Sequence, residues 1–175
     1  MSVRTKRTHL AAGAIGALAA FTLVLSASPA SASNSYNGRA YVYGAAAWHD
    51  DWNDEGILST SSNTSSNATC LWQKILWADG LLSSSAIDGV FGAGTKTATE
   101  TWQRERSQPV DGVVGMDTFR FASYNLADND QSGAVDHYNG STYHINMTRD
   151  SDGRYNFYDG DGNARLAGYD YRTCS

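Results

Sequence analysis

One nine-residue phrase occurs twice in this chain, 23 residues apart. It runs from Ile87 to Thr95 and again from Val110 to Thr118. Both copies read apolar, Asp, Gly, Val, apolar, Gly, two variable positions, Thr. A phrase repeated in this way indicates one supersecondary unit used twice. The repeat therefore constrains the fold more than any single residue does.

Each copy has the composition of a loop that leads into a helix. An Asp carboxylate can accept hydrogen bonds from the backbone N–H groups of a turn, and the Gly after it can adopt a positive φ. The second Gly then releases the chain into a helix. We predict structural rather than catalytic roles for Asp88 and Asp111, and we expect Thr95 and Thr118 to cap the helices through their hydroxyls.

Helical patterns flank and separate the two copies. Residues 67–80 place their apolar side chains on one helical stripe, with Asn67 as the predicted N-cap and Gly80 as the predicted residue after the C-cap. A second helix is predicted from Thr95 to Arg106, and a short third helix around residues 116–126.

The order helix, DG loop, helix, DG loop, helix, with Gln73 and Gln103 each following a Trp, resembles the small three-helix peptidoglycan-binding domain of bacterial cell-wall proteins. The resemblance covers about residues 67–126. The family often has Pro where this chain has Met116. Because Pro only pre-organises the first position of a helix, its absence weakens the cap rather than the assignment.

The resemblance implies a non-catalytic binder of peptidoglycan. The ligand is expected on one face, near the helix ends, where the junction residues hold the loops. Gln73, Trp102 and Gln103 are contact candidates that could equally belong to the core. The ligand-site candidates together are Gln73, Asp88, Gly89, Gly92, Thr95, Trp102, Gln103, Asp111, Gly112, Gly115 and Thr118. No cofactor is expected.

Residues 1–32 have the features of a secretory signal peptide. A basic start precedes an apolar run from Leu10 to Leu25, and the segment ends in Ala30-Ser31-Ala32, the small-residue pattern that a signal peptidase cleaves. Since the run is short for a membrane span, we predict cleavage after Ala32, export, and no membrane association afterwards. An uncleaved anchor is the alternative.

The charge of the mature chain argues against nucleic acid as a partner. Cleavage removes three of the thirteen basic residues and none of the eighteen acidic ones, which leaves a net charge of −8. Nucleic-acid binding depends on neutralising phosphates. A wall polymer should likewise be bound through hydrogen bonds and stacking in a groove, not through charge alone.

Cys70 and Cys174 are the two cysteines of the chain. In an exported protein an even pair indicates a disulfide. This bond would tie the carboxyl tail to the first helix, with a stabilisation of roughly 4–5 kcal/mol in the chain-entropy model. We therefore predict one compact body without a free tail.

Residues 127–175 are predicted as β structure. Segments 143–149, 154–158 and 164–171 are separated by Asp/Gly turn signals, and the first of them alternates apolar and polar side chains. We expect a three-stranded antiparallel meander whose apolar face is covered by the helical domain. The predicted fold class is therefore α+β, with the disulfide joining its two parts.

The segment 33–66 is aromatic and then polar. Trp48 and Trp52, four residues apart, could form one helical turn packed on the domain or a platform for a sugar ring, and packing is the commoner fate of Trp. The Ser/Thr/Asn-rich stretch 59–67 is predicted as a surface loop.

Residues 128–139 follow the spacing of an EF-hand-type calcium loop. Asn139 stands where a bidentate carboxylate should be, and no matched pair of flanking helices is visible, so we favour an Asp/Gly-rich turn. The weak calcium candidates are Asp128, Asp130, Ser132 and Asp136. The histidines His49, His137 and His144 lack the spacing of a zinc site.

Two other functions stay open. Such domains often accompany wall-lytic enzymes, and Glu55 with an Asp partner could imitate the carboxylate pair of a glycosidase, although eighteen acidic residues offer many such pairs by chance. The flanking segments carry no Gly-x-Ser-x-Gly elbow. The other alternative is an exported scaffold that has lost the ligand. We expect a secreted, wall-associated peptidoglycan-binding protein.

Overall fold

The computed structural model describes residues 38–45 and 47–174. The predicted signal peptide, residues 1–32, lies outside the described residues, as does the start of the aromatic segment. Within the described part of the chain, no helix combines the length and the apolar character needed to cross a bilayer.

Three helices form the first part of the fold: α1 (Asn67–Ala78), α2 (Ala93–Glu105) and α3 (Met116–Ser123). The predicted N-cap of α1 was wrong by one residue. Ser66 is the N-cap, and its hydroxyl accepts the Thr69 N–H at 3.0 Å. Asn67 is the first helical residue, and its carboxamide oxygen instead accepts the N–H of Thr173 in the carboxyl tail.

The end of α1 is a Schellman motif centred on Gly80. Gly80 has a φ of +78°. Its N–H donates to the Trp77 carbonyl, and the N–H of Leu81 donates to the carbonyl of Leu76. These are the two hydrogen bonds that define the motif, so the sequence prediction for this helix end is confirmed.

Five short strands follow the helices: β1 (Leu126–Ala127), β2 (His137–Asn139), β3 (His144–Arg149), β4 (Tyr155–Tyr158) and β5 (Ala164–Leu166). They form one antiparallel sheet in chain order. The expected antiparallel meander is present, but it has five strands where three were predicted. Its last strand ends at Leu166 and not at residue 171. The third helix stops at Ser123 because Leu126 already pairs with Tyr138.

The sheet packs on the helices through its apolar face, as the alternation predicted. Along β3, Ile145 and Met147 are buried while their neighbours are exposed. Where the chain enters β3, the N–H groups of Thr142 and Tyr143 both donate to the carbonyl of Ala78 at the end of α1.

Trp52 joins the helical and sheet halves of the core. Its fully buried ring packs edge-to-face against Phe119 of α3 and Tyr155 of β4, with centroid distances of 6.0 and 5.2 Å. Trp48 lies half-buried in a 3-10 turn, Trp48–Asp50, and also packs against the core. The packing interpretation of this aromatic pair is therefore confirmed.

Cys70 and Cys174 form the predicted disulfide, which ties the tail to α1. The N–H of Cys174 also donates to the Asn67 carboxamide oxygen at 3.2 Å. The carboxyl end is therefore held by a covalent bond and by hydrogen bonds to the first turn of α1.

Candidate functional site

Gln73 of α1 organises the first DG junction. Its carboxamide oxygen accepts the N–H groups of Asp88 and Gly89, at 3.0 and 2.7 Å. Its Nε2 contacts the Asp88 carboxylate, the Val90 carbonyl and the Thr95 hydroxyl, all at 2.9–3.0 Å. One buried carboxamide thus binds the loop at both ends and holds it against the helix.

Gln103 of α2 makes the same contacts at the second junction. Its oxygen accepts the N–H groups of Asp111 and Gly112, at 3.1 and 2.9 Å. Its Nε2 contacts the Asp111 carboxylate at 2.8 Å, the Val113 carbonyl and the Thr118 hydroxyl. The sequence repeat is therefore a repeat of one hydrogen-bonded unit.

The Asp and Gly residues of both copies behave as predicted. Asp88 accepts the N–H of Val90, and Asp111 accepts that of Val113, each at 2.8 Å. Gly89 and Gly112 follow with φ values of +70° and +68°. These are turns closed by a carboxylate, which is a structural role.

The predicted hydroxyl caps were wrong. Gly92 and Gly115 are the N-caps of α2 and α3, and neither helix has a side-chain cap. Thr95 and Thr118 lie inside the first turn, where their buried hydroxyls receive the Gln73 and Gln103 amides. The error arose because the partner of each Thr lies on another helix.

Three of the ligand-contact candidates are enclosed by protein. Gln73 and Trp102 are fully buried, and Gln103 is 1% exposed. The Trp102 indole N–H donates to Asp79 at 2.8 Å, and its ring packs against Trp72 at 5.1 Å. These side chains position the loops and the core.

Asp79 is a structural centre that sequence analysis missed. Its buried carboxylate accepts hydrogen bonds from Trp102, Arg106, Tyr138 and Ser141. It thereby joins the end of α1 to α2 and to the sheet. The only sequence signal was its place just before Gly80, which marks a helix end and says nothing about distant partners.

The carboxyl tail covers the first junction. The Arg172 guanidinium donates to the Asp88 carbonyl at 2.9 Å. A Cβ added to Gly89 would lie 2.8 Å from the sulfur of Cys174. The first DG loop is therefore in contact with the disulfide and the tail.

The second junction has an open cleft of about 210 Å³. Gln103 lies at its base, and its walls include Gln108, Pro109, Asp111 and Val113 of the loop and the first turn of α3. Met116 is 45% exposed in the wall. The tail contacts the first loop at Gly89, whereas the equivalent Gly112 of the second loop lies beside Lys96 and Glu100 of α2.

The helical region has a match among known families. Residues 65–121 match the family model described as "Putative peptidoglycan binding domain". This match confirms the resemblance found in the sequence, over about a third of the chain. No curated protein and no solved structure matches the chain.

Outside the matched segment, Glu55 is enclosed by the fold. It is fully buried, and its carboxylate accepts the Tyr43 N–H at 2.7 Å and the Tyr169 hydroxyl at 2.6 Å. Burial raises its pKa to about 8. A carboxyl group in this position joins the segment before α1 to the carboxyl tail.

The acidic loop after the matched segment brings Asp128, Asp130 and Asp136 together, with one oxygen of each within 4.8 Å of the others. These carboxylates already accept backbone N–H groups of the same loop, including those of Ser132, Gly133 and Asn129. Ser132, the fourth calcium candidate, takes part in this loop as a donor through its backbone N–H. These hydrogen bonds account for the geometry of a turn that leads into β2.

Proposed function

We propose that this chain is a secreted, non-catalytic peptidoglycan-binding protein whose contact surface is the cleft at the second DG junction. The family match over residues 65–121 supplies the ligand class. The signal-peptide pattern of residues 1–32 and the Cys70–Cys174 disulfide support an oxidising, extracytoplasmic location.

The observation that carries the proposal is the open cleft at the second junction. Its loop backbone is fixed by the Gln103 carboxamide. The cleft combines apolar surface from Met116 with the polar Gln108 and Asp117. A groove of mixed character suits a polymer of sugars and short peptides.

A non-catalytic role is supported by the state of the acidic side chains. Glu55, the best sequence candidate for a glycosidase acid, is fully buried. At the cleft, Asp111 accepts the N–H of Val113 and contacts the Gln103 amide, so its carboxylate serves the loop. A hydrolytic acid–base pair needs two carboxyls that reach the glycosidic bond.

Sedimentation with insoluble peptidoglycan tests the proposal. Met116→Glu places a charge in the cleft wall, and Ala93→Glu places the same charge at the equivalent exposed position of the first junction. Both changes put a carboxylate in the first turn of a helix, which helix stability tolerates. We expect salt-resistant retention of the unchanged protein, about tenfold weaker retention of Met116→Glu, and no change for Ala93→Glu.

Three outcomes would contradict the proposal. Absence of retention would favour the scaffold alternative. Equal weakening by the two variants would remove the second junction as the contact surface. A clearing zone in a zymogram of the pure protein, lost in Glu55→Gln, would show a wall hydrolase.

A further inference from the structure

A second cleft, of about 200 Å³, lies where α1 meets strands β3 and β4. Its lining includes Lys74 and Trp77 from α1, His144 and Asn146 from β3, and Tyr158 and Asp159 at the end of β4. It shares no lining residue with the cleft at the second junction. The sheet residues of this cleft lie beyond residues 65–121, so the matched segment alone would not form it.

Lys74 is the unusual group in this cleft. The residue is only 9% exposed, yet its ammonium has no hydrogen bond and no ion pair within the described residues. It lies 5.6 Å from the centroid of the Trp77 ring. Burial lowers the pKa of Lys74, and the charge of Asp159 opposes that effect. The ammonium itself is not among the fully buried unpartnered atoms, so in this cleft it is accessible to an acceptor from a ligand.

The neighbouring carboxylate of Asp159 is engaged by other partners, in the turn after β4 and on β5. Asp159 accepts Arg165 Nε at 2.6 Å and the N–H groups of Asn163 and Asp161 at 2.8 and 3.1 Å. Arg165 therefore balances the charge of Asp159. The Lys74 ammonium is therefore available to an acceptor brought by a ligand, and an anionic acceptor gives the strongest hydrogen bond.

The aromatic and polar walls define the rest of the ligand. Tyr158 is 47% exposed, and Trp77 is fixed by a stacked Tyr143, with centroids 4.6 Å apart and planes at 9°. His144 and Asn146 are exposed on the other side of the cleft. A cleft lined by aromatic rings and a few polar groups suits a ligand whose ring has apolar faces and hydroxyl groups along its edge.

We propose that this cleft binds one sugar residue carrying a carboxylate, with the carboxylate at the Lys74 ammonium and the sugar ring against Tyr158 and Trp77. The volume is below the roughly 300–1,000 Å³ of pockets for drug-sized ligands, which suits a single residue. Two kinds of sugar carry such a carboxylate: an amino sugar with a lactyl ether, and a hexuronic acid. The site does not depend on wall binding at the second junction.

NMR titration of the purified protein tests this site with three probes: N-acetylmuramic acid, glucuronic acid and the neutral N-acetylglucosamine. We expect at least one acidic sugar to bind about tenfold more tightly than the neutral one, with amide shifts at residues 144–146 and 158–159. Binding of muramic acid alone would identify the wall as the source, and binding of glucuronic acid would identify another acidic glycan.

Lys74→Met removes the charge and keeps the length of the side chain. It should reduce the affinity for the acidic sugar to that for the neutral one. Lys96→Met is the matched control, because Lys96 lies on α2 and pairs with Glu100 outside the cleft. Tyr158→Ala, at an exposed position, is a second variant and should weaken both kinds of sugar.

The proposal is overturned by equal affinity for acidic and neutral sugars, or by a Lys74→Met protein that is folded and binds as before. Shifts confined to residues 110–118 would also overturn it, since they would place the sugar at the second junction. Met116→Glu separates the two sites: it should weaken sedimentation with peptidoglycan and leave the acidic-sugar titration unchanged.

Discussion

Gln73 and Gln103 occupy equivalent positions in two copies of one hydrogen-bond network. Each carboxamide oxygen accepts two consecutive backbone N–H groups, and each Nε2 reaches a carboxylate, a carbonyl and a Thr hydroxyl. The two loops differ in what packs beside them: Arg172 and Cys174 lie beside Gly89 of the first, and Lys96 and Glu100 lie beside Gly112 of the second. The same substitution can therefore be compared next to the disulfide-linked tail and next to a helix.

Replacement of either glutamine by methionine should destabilise the protein by a similar amount. Each change leaves two N–H groups of the loop without an acceptor, at about 1–3 kcal/mol per group. The two networks have the same kinds of partner and the same burial, so we expect a loss of about 2–4 kcal/mol for each variant. Urea unfolding measures both values.

The exposed Gln131, which has no such network, provides the control. Gln131→Met should change the free energy of unfolding by less than about 0.5 kcal/mol. Losses near zero at Gln73 and Gln103 would mean that the networks add no net stability.

Gly89→Ala should lower the stability and Gly94→Ala should raise it slightly. Gly89 has a φ of +70°, and a Cβ there would meet the Cys174 sulfur at 2.8 Å. The left-handed conformation alone costs an L-residue about 1–2 kcal/mol. Gly94 lies in α2 with open space around a Cβ, so alanine should add about 0.5 kcal/mol. Thermal unfolding of the two variants should show shifts of opposite sign.

The helices and the DG loops could be predicted from the sequence because their signals are local. An Asp accepts an N–H two residues on, and a Gly supplies positive φ within the same turn, as at Asp88 and Gly89. The role of Thr95 could not be predicted in this way. Its partner Gln73 lies 22 residues earlier, and a first-turn Thr suggests a cap when no other partner is visible.

The missed parts of the structure depend on contacts between distant segments. Strands β1 and β2 have two and three residues, too few for an alternation to be visible. The cover of the first junction by Arg172 joins residues 84 positions apart. No sequence pattern marks Lys74, which follows Gln73 on α1. Its burial results from the sheet that packs beside the helix.

Reduction of the Cys70–Cys174 disulfide should release the tail and expose the first junction. The bond closes a loop of 104 residues, and its loss should cost about 2–5 kcal/mol. Hydrogen exchange should become faster at Gly89 and Thr173, whereas the amides of Asp111 and Gly112 should keep their protection. Cys70→Ala combined with Cys174→Ala should reproduce the effect without reductant. Equal acceleration at both junctions would indicate global loosening instead.

Glu55 should make the protein less stable as the pH rises. Burial raises the pKa of Glu55 from its ordinary value of 4.5 to about 8, so between these values the native state binds more protons than the unfolded state. The free energy of unfolding then falls with rising pH, by at most about 1.4 kcal/mol per pH unit from this group. The stabilisation that Glu55 contributes is complete below pH 4.5 and is lost as the pH rises past about 8.

Glu55→Gln keeps the shape of the side chain and removes its titration, so it should abolish this slope and stabilise the protein most at the alkaline end. Glu105→Gln is the control, because the Glu105 side chain is 53% exposed and pairs loosely with Arg106 at 3.7 Å. Urea unfolding at several pH values between the two pKa values measures the slopes. A slope that survives in Glu55→Gln would assign the pH dependence to other groups and remove Glu55 as its source.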